Sequence, residues 1–136
     1  MVAYARAHVI RNAVITIDAV TYNNQVTKIR LVPDTPVQTL RTLVPDGVVQ
    51  DVDTAVWTLE LSGIQDMGAG GLAAALNAAA GLSVTVIVQP KAGAGQDVAT
   101  FSMIAMPVEF GGEQGNFRTF EGEFPVNGQP VFTQSA

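Results

Sequence analysis

The sequence predicts a mainly β domain, with two packed antiparallel sheets forming a sandwich or partly open barrel and one short α-helix on the flank. Three observations lead there. Several segments alternate apolar and polar residues with the period of a half-buried strand. Gly, Pro, Asn and Asp interrupt them at short intervals. One segment alone, residues 71–80, has the composition of a helix.

Residues 12–18 are rich in Val and Ile and end at an acidic turn, which predicts a first strand. Gln25–Val32 alternates, with Thr27, Ile29 and Leu31 on one face and Val26, Lys28, Arg30 and Val32 on the other. Pro33 and Pro36 are expected to stop it. Residues 33–53 show little period. They hold a short apolar piece, Leu40–Val44, and the turn residues Pro45, Asp46 and Gly47. They are expected to form a long loop, and a connection of about 20 residues is long enough in a compact domain to suggest a function.

Thr54–Ile64 carries the clearest strand pattern, with Ala55, Trp57, Leu59 and Leu61 on its apolar face. Gly71–Ala80 predicts a helix in which Leu72 and Leu76 share a face and Gly81 adopts the left-handed end conformation. At about 15 Å it is too short to stand alone and must pack on a sheet. Leu82–Gln89 predicts a strand with Val84, Val86 and Val88 together. Ala99–Phe110 predicts another, with Ile104, Met106, Val108 and Phe110 on one side. Phe117–Val126 follows, and Asn127-Gly128 predicts a two-residue hairpin from which Val131-Phe132 would pair back. Residues 1–11 are expected to form an arm outside a single domain at 12–136.

Composition narrows the function. A chain of 136 residues and 14.2 kDa, 48% apolar and 14% charged, forms one core and not two. No apolar run approaches the ~20 residues that span a bilayer, so no membrane partner is expected. The early charges Arg6 and Arg11 predict no secretory signal. Without cysteine there is no disulfide, thiolate metal site or cysteine nucleophile. The single histidine, His8, excludes multi-histidine metal sites and most hydrolase triads. A pI of 4.5 disfavours a sequence-reading nucleic-acid domain. Charge is also polarised. Residues 1–41 place Arg6, Arg11, Lys28, Arg30 and Arg41 against Asp18 and Asp34, for +3, while residues 42–136 place Lys91 and Arg118 against ten acids, for −8. Such asymmetry suits one end of a molecule meeting the other end of its copy.

Catalytic motifs are weak. Gly68-Ala69-Gly70-Gly71-Leu72-Ala73 fits the loose G-x-G-x-x-A dinucleotide pattern. The chain lacks the alternating strand–helix units of a dinucleotide fold, so a docking loop of small residues is the better reading. Glu121 and Glu123 share a strand face about 7 Å apart. They read as a solvated face before they read as a hydrolytic carboxylate pair. No enzyme activity, metal or cofactor is expected.

Four stretches together carry a resemblance: Val52–Gly63, with its W-T-L-E-L-S-G strand; Gly71–Leu76 through Ala80-Gly81; Val84–Pro90; and Phe124–Pro130, of the form P-V-x-G-x-P. In order and spacing the chain resembles the major tail tube proteins of long-tailed phages, whose architecture the type VI secretion tube protein shares. The resemblance covers roughly residues 12–132. It implies packed antiparallel sheets flanked by a helix and hexameric rings stacked head to tail into a tube. It also implies a virion location after assembly in the host cytoplasm, and a lumen through which DNA passes without specific binding. Partners would be further copies, a tape-measure protein and other tail proteins.

On this reading Glu60, Glu121 and Glu123, facing away from their own core, are candidates for the lumen. Arg6, Arg11, Leu40, Arg41, Leu43, Val44, Asp46, Asp51 and Asp53 are candidates for ring stacking. The alternative is a carbohydrate- or surface-binding sandwich module, for which Trp57, Tyr4, Tyr22 and six phenylalanines offer few exposed aromatics.

Overall fold

A computed structural model describes residues 9–10, 13–22, 25–91, 93 and 95–134. The candidates Arg6 and Arg11, and the expected arm at 1–11 apart from residues 9–10, lie outside them. Among the described residues, nine strands and one helix follow in chain order. They are β1 Val14–Ile17, β2 Val20–Thr21, β3 Val26–Asp34, β4 Val37–Arg41, β5 Val48–Val52, β6 Val56–Ile64, α1 Leu72–Ala78, β7 Ser83–Gln89, β8 Asp97–Ile104 and β9 Thr119–Gln134.

Seven strands form one antiparallel sheet in the order β2-β1-β7-β8-β9-β6-β3, and β4 and β5 form a separate two-stranded sheet. The expected two layers are therefore continuous through one long strand. The first half of β9, Thr119–Pro125, pairs with β6, and the second half, Val126–Gln134, pairs with β8. Among the described residues neither β1 nor the edge strand β2 pairs with β3, the strand at the opposite edge, so the barrel stays open. Ile15 of β1 and Val26–Ile29 of β3 line a cavity between them.

Period-2 alternation sets the core. Leu59 and Leu61 of β6, Val84, Val86 and Val88 of β7, Phe101 and Met103 of β8, and Phe120, Phe124 and Val126 of β9 are buried in one cluster. Leu72, Ala73 and Leu76 seal it from the flank, as the helix pattern predicts. Gly81 has the expected left-handed φ of +82°, but it does not close the helix, whose C-cap is Ala79. The helix is shorter than expected, at seven residues.

Three sequence expectations need correction. Residues 33–53 are not a structureless loop. β3 runs through Pro33 to Asp34, which an edge strand tolerates because the proline lacks only an outward-facing donor. β4 and β5 then pair as a hairpin, from Val37↔Val52 to Arg41↔Val48. Second, Asn127-Gly128 does not turn the chain back. It sits within β9 at a bulge: five residues of β9, from Asn127 to Val131, oppose three of β8, from Ser102 to Thr100, and Gly128 takes φ +72°. The Trp57 indole N–H donates to Gln129 Oε1 at 3.0 Å, and Gln129 Nε2 donates to the Ala55 carbonyl at 2.8 Å. These bonds tie the bulge to the neighbouring strand. Third, the strand expected to reach Phe110 ends at Ile104; its buried residues are Phe101 and Met103, and Ala105 just beyond it is buried too. Met106 and Phe110 are exposed.

Candidate assembly surfaces

Strand registers place three surfaces on the molecule. β6 enters at Val56 from the hairpin and leaves at Ile64 toward the helix, spanning about 26 Å at ~3.3 Å per residue. Ile64 pairs with Thr119, the first residue of β9, and Asp34 pairs with Val56. The β4–β5 hairpin therefore leaves this arm at one end. The helix and the 105–118 segment that precedes β9 gather at the other.

The hairpin is the first surface. All ten of its strand residues are exposed. Val37, Leu40, Val48, Val49 and Val52 lie on it, and its turn carries Leu43, fully exposed at 105%, with Val44 and Asp46. Leu40 faces Val49 across the ladder, and Arg41 faces Val48. The base is closed by Asp53 N–H donating to the Pro36 carbonyl at 2.9 Å. Asp51 and Asp53 each accept a bond from the next backbone N–H. The stacking candidates Leu40, Arg41, Leu43, Val44, Asp46, Asp51 and Asp53 thus share one protrusion. An isolated two-stranded hairpin is marginal in water, and this much uncovered apolar side chain suits contact with another molecule.

The outer face of β3-β6-β9 is the second surface. Register sets Arg30, Glu60 and Glu123 in one row and Lys28, Ser62 and Glu121 in the next. Lys28 Nζ lies 3.4 Å from Glu60 Oε1, and Arg30 lies 3.6 Å from Glu60 Oε2. The three glutamates do face away from the core, as alternation requires. The row also shows what the sequence alone missed: β3 supplies cations that pair with Glu60, so the face grades from basic at β3 to acidic at β9.

The third surface had no sequence signal beyond its glycines. Residues 105–118 join β8 to β9, with Phe110 exposed at 70% and Phe117 at 94%. The Arg118 guanidinium sits 5.6 Å above the Phe110 ring. The base is held by Gln65, whose residue is 1% exposed. Its Nε2 donates to the Gly111 and Thr119 carbonyls at 2.9 and 2.6 Å, and its Oε1 accepts from Gly111 N–H at 2.8 Å. A single buried amide thereby ties the middle of the loop, at Gly111, to the start of β9.

The glycine-rich entry to α1 is explained by packing. A Cβ on Gly71 would collide with the Asp66 carbonyl, and the Leu72 N–H is taken by Gln25 Oε1 at 2.7 Å. The dinucleotide-like spacing is here a docking turn for a seven-residue helix.

The chain superposes on a chain in the virion of a native gene transfer agent particle with a TM-score of 0.69, 13% identity, and coverage of 93% of this chain and 99% of that one. The two share a fold. A chain in the tail of an empty gene transfer agent particle, refined helically with C6 symmetry, matches with a TM-score of 0.62, 12% identity, and coverage of 83% and 86%. No family model matches the sequence, and no curated protein does.

Proposed function

We propose that the chain is a structural subunit of a phage-type tail tube. Copies assemble into hexameric rings that stack head to tail around a channel for DNA. The reading assigns no catalysis and no cofactor, a location in the virion tail after assembly in the host cytoplasm, and a tape-measure protein and other tail proteins as further partners. The observation that carries it is the exposed apolar hairpin, on a fold shared with a chain of a C6-symmetric tail. A domain with its own complete core gains nothing from seven bare valines and leucines unless another chain covers them.

Glu60, Glu121 and Glu123 are the lumen residues in this reading. With Lys28 and Arg30 on the same face, its net charge is close to neutral and slightly acidic. Such a wall gives the DNA backbone few unpaired cations to bind. The test is solution mass against concentration, by light scattering. Species near six times 14.2 kDa, or larger tubes, are expected. A monomer at every concentration and salt would contradict the proposal.

A further inference from the structure

We infer that the surface receiving the hairpin tip of the next copy is the 105–118 loop, with Phe117 and Arg118 as its contact residues. This rests on the stacking proposed above and names the second half of that interface.

A head-to-tail contact is heterologous, so the protruding patch on one end needs a different, complementary patch on the opposite end. The two ends of β6 fix which patch that is. The hairpin leaves at Val56, while Gln65, just beyond the other end of β6 at Ile64, anchors the 105–118 loop through Gly111 and Thr119. Each end presents a nearly bare apolar side chain, Leu43 at 105% and Phe117 at 94% exposed. The 105–118 loop as a whole carries Arg118 against Glu109 and Glu113, for −1, so charge complementarity is confined to the residues beside the two apolar side chains. Residues 34–53 carry Arg41 against Asp34, Asp46, Asp51 and Asp53, for −3. Arg118, next to Phe117, is one of only two basic residues in positions 42–136. Asp46 beside Leu43 and Arg118 beside Phe117 thus match an apolar contact flanked by opposite charges. Gln65 makes the receiving loop a preformed surface, which lowers the ordering cost of docking.

The experiment uses Phe117→Asp and Leu43→Asp, both at exposed positions, with Phe117→Ser as a milder second variant. Rings should form in all three, and tube growth should be lost in the two Asp variants and slowed in Phe117→Ser. Preformed F117D rings keep a working hairpin end, and L43D rings keep a working loop end. Mixed together, they should give pairs of rings that stop at two. Tubes from F117D that grow like those of the unaltered protein, or mixed rings that never pair, would overturn the inference while leaving ring assembly intact. Absence of rings from the unaltered protein would instead overturn the proposed function on which it rests.

Discussion

At the scale of single residues, strain and close approach decide most of what can be tested. Asp18 and Ala19 make the two-residue turn between β1 and β2 with φ of +51° and +68°. Aspartate tolerates that region, but alanine there costs about 1–2 kcal/mol. Glycine would relieve the strain and lose roughly 0.5–1 kcal/mol to backbone entropy. Ala19→Gly is therefore expected to raise stability by up to ~1 kcal/mol, read as a higher urea midpoint at unchanged slope. Gly71→Ala acts the other way. Its methyl meets the Asp66 backbone carbonyl, which cannot swing aside, so a loss of about 1–3 kcal/mol is expected in the same assay. Gln65→Ala leaves the Gly111 and Thr119 groups without their partner. It should cost about 1–3 kcal/mol and speed amide hydrogen exchange across residues 105–118 more than elsewhere.

At the scale of elements, the strands legible in the sequence were those with one face on the core. Leu59 and Leu61, or Val84, Val86 and Val88, alternate because burial selects every second residue. β4 and β5 were invisible for the same reason. Both their faces are exposed within the chain, so Val37-Gln38-Thr39-Leu40-Arg41 carries no pattern that its own core imposed. The proline pair at 33 and 36 strengthened the impression of a loop, although an edge strand accepts the first of them. Asn127-Gly128 misled because its backbone preference for φ > 0 serves a bulge as well as a turn. The bonds from Trp57 and Gln129 that select the bulge are long-range. The hairpin yields a prediction of its own. Leu40→Ser or Leu43→Ser should change the stability of the free subunit by no more than ~0.5 kcal/mol, since neither side chain is buried there. Either should reduce tube formation measured by turbidity. Hydrogen exchange across 37–52 should be fast in the free subunit and slow in the tube.

At the scale of the whole molecule, the proposed assembly takes its direction from the two ends of one strand, with the curled sheet between them. In the proposed tube, exposed charge pairs between rings would each be worth at most ~1 kcal/mol, and repetition around a ring would multiply them. Apolar contacts from Leu40, Leu43 and Val44 should carry most of the adhesion. Rising salt is therefore expected to slow elongation, followed by light scattering, more than it dissolves finished tubes. The candidate site was legible in part. The apolar residues of 40–44 stood out, whereas the Phe117 end did not, because only the paired register of β6 and β9 places it opposite the hairpin.

The most direct measurement is electron microscopy of the purified protein, concentrated and averaged in projection and along the tube axis. The expected result is six-fold rings stacked in one direction, with the β4–β5 hairpin buried between successive rings and Glu60, Glu121 and Glu123 on the inner wall. Dispersed monomers, or assemblies in which the hairpin stays in solvent, would contradict the account.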